Sequence, residues 1–435
     1  MSDWNLKDLE KWDDAICELA KNHGLDWYPI TYETCDYYEM IGNMSYHGMP
    51  THYAHWSFGK SFERTHQMYN LGLEGLPYEL IINSNPSIAY LMRQNPMYLQ
   101  ILIMAHCVGH SDFFKNNHSF SQTRPEHVIS DFRNAGKRIQ SYMESPHIGV
   151  KNVERILDAA HAIQFQVYRY PTKDVSHEEQ RKEWIQRLRN DEEGKYKNFD
   201  IDKVPLEPEH DILKFIIEHS DYLDDWAIDI LEIVRRSSQY FIPQIKTKIM
   251  NEGWASYWHY RTMHELELPQ KYHLPFLKSH NQVVQPHIGR INPYHLGFHL
   301  FNKIEERYGI EECFFARENL HDESFLYQYI TDEDIKELNL FTYAAKDSNY
   351  IIQDIADDDG VKNIKKDLIR QVGTNSIPVI YVDDVGKGNI LTLVHEFDGR
   401  ELELDYADEV ISHLQNLWGD VVKLKTVIDD EDLII

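Results

Sequence analysis

The strongest constraint on the fold is the spacing of apolar residues, which follows the period of an α-helix from the N-terminus to about residue 340. After about residue 345 the pattern changes, and a helix at 406–417 accompanies segments typical of β-strands: SIPVIYVDD, NILTLVHEF and VVKLKTVI. We therefore predict an α+β protein, with a large mainly α-helical domain over residues 1–344 and a small C-terminal α+β domain over residues 345–435. A chain of 435 residues is long enough for two domains.

Prolines divide the helical region. Pro86 and Pro96 stand where helices can begin, and the second helix would run through the apolar segment ILIMAHC to about Lys115. A long helical pattern covers 223–266, and we expect Pro243 to break or kink it because proline lacks an N–H and clashes with the preceding turn. The candidate chemistry lies mainly on these two apolar stretches.

The charge balance restricts the possible partners. The chain has 71 acidic and 44 basic residues and a net charge of −27, which argues against binding to nucleic acid because phosphates require a basic face. We expect no membrane insertion, since the most apolar stretch, Tyr98 to Val108, is about half of a membrane span. The four cysteines form no CxxC pair and the N-terminus is acidic, so we predict a cytoplasmic protein. The acidic tail DDEDLII is either a contact segment or a solvated end.

Two histidines on one apolar helix indicate a metal site. In MAHCVGHSDFFKNN, His106 and His110 are four residues apart and therefore lie about 40° apart on one helix face. This is the spacing of the zincin motif HExxH, although Cys107 stands where that motif has its glutamate base. The alternative is a pair of core histidines satisfied by hydrogen bonds. His295 and His299 have the same spacing and are a weaker candidate.

A carboxylate on a second apolar helix supplies a third ligand. NEGWASYWHYRTMHEL contains Glu252 among small and aromatic residues, with His259 about 20° away around the helix. Two histidines and a glutamate with an open fourth position form the ligand pattern of gluzincins. We therefore predict a cation, zinc first and iron as the alternative, held by His106, His110 and Glu252. A Glu252 paired with a nearby arginine or lysine is the competing interpretation.

A third helix, GVKNVERILDAAHAI, places Glu154, Asp158 and His161 on one face. Asp158 and His161 have the carboxylate-x-x-His spacing of helical di-iron sites. Asp158 is equally suited to orient a ligand imidazole, and a purely structural polar cluster is the third interpretation. For hydrolysis, His259 or Asp158 would have to replace the missing glutamate as the catalytic base.

These motifs together resemble the SpoVR family of bacteria (stage V sporulation protein R). The resemblance runs in consistent order over nearly the whole chain, through HGMPTHYAHWSFGKSFER, YELIINSNPSIAYLM, AHCVGHSDFFKNN, VERILDAAHAI, YFIPQIKTKIMNEGWASYWHY, NPYHLGFHLF, RENLHDESFLYQYIT and ELELDYADEVISHLQNLWG. It implies a role in formation of the spore cortex. In non-sporulating bacteria it implies a link to stress physiology alongside a serine protein kinase.

Three functions fit the residues and the resemblance. The first is a metal-dependent hydrolase that cleaves an amide in peptidoglycan or its precursors, with zinc activating a water. The second is a non-catalytic regulator that binds cortex-assembly proteins and has a structural metal site with a closed shell of four ligands. The third is a helical di-iron redox enzyme that also uses Glu154, Asp158 and His161.

Overall fold

The computed structural model describes residues 4–70, 80–169, 175–191, 194–196, 199–287, 290–340, 342–346, 349–354 and 360–435. The α-helices within these ranges are α1 Leu6–Asn22, α2 Tyr37–Ser45, α3 Trp56–Asn70, α4 Met97–Asn116, α5 Val128–Glu144, α6 Val150–Ala162, α7 His177–Arg189, α8 Ile212–His219, α9 Asp225–Lys246, α10 Lys248–Glu265, α11 Gln270–Val283, α12 Pro293–Tyr308, α13 Ile310–Asn319, α14 Asp322–Tyr329, α15 Asp332–Glu337, α16 Gly360–Gln371 and α17 Leu404–Trp418. The strands are β1 Ile30–Cys35, β2 Leu80–Ile82, β3 Ser87–Met92, β4 Thr342–Lys346, β5 Asn349–Asp354, β6 Ile380–Gly386, β7 Ile390–His395, β8 Val422–Ile428 and β9 Glu431–Ile434.

The chain forms two compact units that are each built from two segments. Unit 1 comprises Met1–Gly136 and Pro243–Ser376, and unit 2 comprises Lys137–Ile242 and Ile377–Ile435. The division predicted at residue 344/345 follows the change in type of secondary structure and stays a prediction. The predicted class is confirmed, because long helices dominate the chain and a small sheet with helix α17 ends it.

Unit 1 has a helical core with small sheets beside it. Strand β3 pairs in parallel with β1 and antiparallel with β2, and β4 and β5 form a separate antiparallel pair. The core itself is centred on α4, α10 and α12. Helix α4 is buried from Met97 to Phe114 except for Tyr98, so it must be apolar on every side.

Glycines let α10 approach both of its neighbours closely. Gly109 of α4 faces the backbone of Ala255, and Gly297 of α12 lies against the backbone of Ile249 and Gly253. A side chain at either contact would meet backbone atoms rather than a flexible side chain. Helix α10 is therefore held tightly between α4 and α12, which gives the side chains on it well-defined positions.

Unit 2 ends in a four-stranded sheet with the order β6-β7-β8-β9. Strands β6 and β7 form a hairpin, and α17 connects β7 to its parallel neighbour β8. The three strands and the helix predicted from residue 377 onward are thus confirmed. The buried face of α17 packs against α6 and β8.

The helix boundaries predicted at the prolines are confirmed only in part. Pro96 is the N-cap of α4, as predicted, whereas the helix predicted at Pro86 is wrong because strand β3 begins at Ser87. The long pattern over 223–266 does divide into two helices, but α9 continues through Pro243 to Lys246 before α10 starts. No helix in the described ranges combines the length and the hydropathy that crossing a membrane requires.

Candidate metal centre

Helices α4 and α10 bring the predicted ligands into one buried cluster. His106 and His110 lie on α4 with exposed fractions of 1% and 4%, and Glu252 lies on α10 with 5%. The first turn of α10 is fixed by the buried carboxylate of Asp322, which accepts hydrogen bonds from the backbone N–H groups of Ile249 (2.8 Å) and Met250 (2.9 Å). Glu252 follows one turn later on a helix whose start and sides are both constrained.

The three ligand atoms converge at distances that suit a tetrahedral cation. Glu252 Oε2 lies 3.3 Å from His110 Nε2 and 3.7 Å from His106 Nε2. All three atoms lie within 4.8 Å of one another. Bonds of about 2.0–2.1 Å to zinc at tetrahedral angles would separate neighbouring ligand atoms by about 3.3–3.4 Å. The donor set and its spacing therefore fit one zinc ion after small adjustments.

Asn251 determines which nitrogen of His110 is available. The Nδ1 atom of His110 lies 2.8 Å from Oδ1 of Asn251, and an amide oxygen only accepts, so Nδ1 donates. In the neutral ring, Nε2 then presents a lone pair toward the carboxylate of Glu252. Two acceptors facing each other inside the core require a positive species between them, either a proton on the ring or a metal ion.

Lys248 satisfies only half of the Glu252 carboxylate. Its Nζ donates to Oε1 from a position that is partly exposed to solvent. Oε2 is buried and accepts no hydrogen bond from the described residues. Burial would raise the pKa of Glu252, but Lys248, His106 and His110 together hold that pKa well below its usual value. Glu252 is therefore an anion whose second oxygen is directed at the histidines.

His259 lies behind His106. The two Nδ1 atoms are 2.7 Å apart, and Nε2 of His259 lies 2.8 Å from Nδ1 of His280 on α11. Burial lowers the pKa of His259 well below its usual value, and the neighbouring imidazoles lower it further. Burial, with His264 and His106, lowers the pKa of His280 to about 4. A chain of neutral imidazoles can thus donate away from the cluster and leave Nε2 of His106 as a ligand.

The predicted third helix lies in unit 2. Glu154, Asp158 and His161 are half-buried on α6 and are not among the residues of the cluster. Of the two predicted bases, His259 lies beside His106 in unit 1, and Asp158 belongs to unit 2. Both ring nitrogens of His259 face other imidazoles, so its position suits orientation of His106.

The pair His295 and His299 does not converge on a common point. His295 Nδ1 lies 2.7 Å from the carbonyl oxygen of Val284. His299 Nε2 lies 3.2 Å from Oδ1 of Asp334. The group formed by His299, Asp334 and Glu337 has ligand-like spacing, but Arg307 already binds both oxygens of Asp334.

Three residues around the cluster were not predicted: Asn251, His280 and the capping residue Asp322. Their contacts depend on how α4, α11 and α14 pack against α10, which no local pattern specifies. Pairing of Glu252 with a lysine was the competing interpretation, and it holds for Oε1, which accepts from Lys248 one turn earlier on α10.

Comparison with known proteins gives consistent matches. A family described as "SpoVR like protein" matches residues 3–377, and a family described as "SpoVR-like C-terminal domain" matches residues 376–429. The boundary between the two matches coincides with the end of unit 1 at Ser376. The chain is also 34% identical to the uncharacterized protein YcgB of Escherichia coli strain K12, over 98% of this chain and 93% of that protein. No solved structure matches the chain described here.

Proposed function

The chain belongs to the SpoVR family, and we propose that it is a zinc-dependent hydrolase. Membership of the family supports an association with sporulation. Its substrate would be an amide in peptidoglycan or a peptidoglycan precursor, and its process the formation of the spore cortex. The observation that carries the metal is the convergence of His106 Nε2, His110 Nε2 and Glu252 Oε2 inside the core.

The number of ligands favours a catalytic type of site. The described residues provide three protein ligands within reach of one ion, whereas structural zinc sites generally have four. A divalent cation held there would lower the pKa of a water at its open position to about 7. In the overall reaction the C–N bond breaks, the hydroxyl of water joins the carbonyl carbon and its proton joins the leaving nitrogen.

The protein supplies orientation and charge around that position. Asn251 and His259 hold the two imidazoles through their Nδ1 atoms, and Lys248 holds the far oxygen of Glu252. His259, which was predicted as the base, would here orient the imidazole of His106, because both of its ring nitrogens face other imidazoles. A His259→Gln protein should keep its metal and lose most of its amide cleavage.

Metal analysis of matched variants tests the site directly. The purified protein should contain about one equivalent of zinc, and His106→Ala and Glu252→Gln should each lose it. Glu305→Gln is the control carboxylate, because Glu305 binds Tyr257 and Arg261 instead of the histidines. His395→Ala is the control imidazole, since His395 is buried beside Thr426 in unit 2. Full zinc content in Glu252→Gln would show that the ligand set is wrong.

Activity is measured on soluble peptidoglycan fragments, by the appearance of new amines and by mass spectrometry. Zinc-loaded protein should cleave an amide, and removal of zinc by a chelator should stop cleavage. Zinc binding without any cleavage would reject the hydrolase and leave the metal site intact.

A structural metal site in a non-catalytic regulator is the second candidate. It is favoured by the burial of all three ligands and by Cys107, which is fully buried where a zincin has its base. In that case removal of zinc should lower the stability of unit 1, while no peptidoglycan fragment is cleaved. The di-iron alternative gains no support, since the ligand group around the histidine pair contains one carboxylate where such sites use four.

A further inference from the structure

Ser256 carries a buried hydroxyl that the fold leaves unsatisfied. It lies on α10, one turn after Glu252, and its side chain is fully buried. Its Oγ makes no hydrogen bond with the described residues. Buried hydroxyl groups normally have a hydrogen-bond partner, so an unsatisfied one needs an explanation, and a bound water or ligand group is one.

Three other buried hydroxyls in or beside helices are satisfied locally. Ser45, Ser238 and Thr247 each donate to the carbonyl oxygen four residues earlier, at 2.9, 3.0 and 2.7 Å. That bond is the ordinary way in which a helix satisfies an internal serine or threonine. Ser256 could donate in the same way to the carbonyl oxygen of Glu252, but its Oγ makes no such hydrogen bond, so the hydroxyl is directed elsewhere.

Helix geometry places Ser256 on the same face of α10 as two residues of the candidate metal centre. Glu252 and His259 both reach His106, the first with Oε2 and the second with Nδ1. Ser256 lies between them along the sequence of α10, and around the helix it is about 40° from Glu252 and about 60° from His259, on the side of Glu252 away from His259. The unsatisfied Oγ of Ser256 and the unsatisfied Oε2 of Glu252 therefore lie one turn apart on the same face.

We propose that Ser256 is a positioning residue that hydrogen-bonds the non-protein ligand of the cation. This inference rests on the metal site of the proposed function and adds the chemical class of that ligand. The ligand is a water or a small oxygen donor such as a carboxylate, because only a compact group can contact both the cation and a hydroxyl one helical turn away. The serine fixes its orientation and is not itself a ligand of the metal.

Cobalt(II) replaces zinc in the test because its visible absorption reports the coordination shell. Cobalt-loaded wild-type protein is titrated with sodium formate, and the dissociation constant is read from the change in absorption. Ser256→Ala should bind one equivalent of cobalt like the wild type and should bind formate about tenfold more weakly, as expected for one lost hydrogen bond to an anion. Ser238→Ala is the matched control, since it removes a buried hydroxyl that its own helix satisfies, and its formate affinity should not change.

The outcomes separate the two proposals. Failure of the wild-type protein to bind cobalt refutes the metal site and this inference with it. Cobalt binding with an unchanged formate affinity in Ser256→Ala overturns the role of the serine and leaves the metal site standing. A wild-type cobalt spectrum that does not respond to formate, or an equal loss in Ser238→Ala, also overturns it.

Discussion

The contact between α10 and α12 provides the sharpest structural prediction. A Cβ atom added at Gly297 would lie 2.2 Å from the carbonyl oxygen of Ile249 and 2.6 Å from Cα of Gly253. The first distance is about 1.2 Å shorter than an ordinary contact of 3.4 Å, and both neighbours are backbone atoms that cannot rotate away. Gly297→Ala must therefore push the two helices apart.

The size of the effect follows from two opposing terms. Overpacking a core costs about 1–3 kcal/mol, and a clash between backbones belongs at the upper end of that range. Replacing glycine by alanine inside a helix returns about 1 kcal/mol. The net loss of local stability should be about 2 kcal/mol, which corresponds to about 30-fold faster hydrogen exchange if the amides exchange through opening of the helix pair.

Hydrogen exchange with mass spectrometry suits this measurement, because a chain with two compact units need not unfold in one step. Amides of α10 and α12 should exchange faster in Gly297→Ala. Gly59→Ala is the control, because Gly59 is exposed on α3 with no atom within 4 Å of an added Cβ. The control should leave α10 unchanged and slow exchange slightly in α3. Wild-type exchange rates for α10 and α12 in Gly297→Ala would refute the close approach.

Two further predictions concern charge. Burial would raise the pKa of Asp334, but hydrogen bonds from Arg307 and Thr331 hold that pKa well below its usual value. The stabilisation that this carboxylate gives should be complete above the usual aspartate pKa near 3.8 and should be lost as the pH falls below it. Asp334→Asn should lower the free energy of unfolding of unit 1 by about 2–3 kcal/mol at pH 7. Urea denaturation at a series of pH values should then show a smaller loss of stability in acid for this variant than for the wild type. For the proposed cation, zinc at 100 times its dissociation constant should stabilise unit 1 by about 2.7 kcal/mol. A chelator should remove that gain in the wild-type protein and change nothing in Glu252→Gln, as measured by thermal unfolding.

Local sequence patterns were sufficient for the elements that bury an apolar face regularly. The opening helix α1 has an Asn5–Asp8 capping box, and the strand β7 alternates between buried and half-buried residues. Local patterns failed at Pro86, where a proline that can start a helix instead precedes strand β3. A strand of six residues carries little periodic information, and its pairing with β1 joins segments more than fifty residues apart.

The candidate site was also predictable from the sequence only in part. The spacing of His106 and His110 specifies one helix face, and the apolar surroundings of Glu252 specify that it needs a partner. The sequence could not specify that Asn251 would turn toward His110 while Glu252, its neighbour, also reaches that ring. Consecutive helix residues point about 100° apart, so both contacts require α4 to lie between the two directions. Only the packing of α4 against α10 determines that arrangement.

The same packing explains why the missing zincin base cannot be restored at position 107. Cys107 is fully buried in the apolar core and lies close enough to Tyr32 of β1 to affect the pKa of that phenol, which burial raises well above its usual value. A glutamate there would bring a carboxylate into the region of Tyr32 and of the half-buried carboxyl group of Asp13, which also acts on that phenol. Burial of an unpaired charge costs several kcal/mol. Cys107→Glu should therefore lower the thermal stability of unit 1 without gaining activity. The zinc content of Glu252→Gln tests the metal site, and cleavage of peptidoglycan fragments by the zinc-loaded wild-type protein tests the hydrolase.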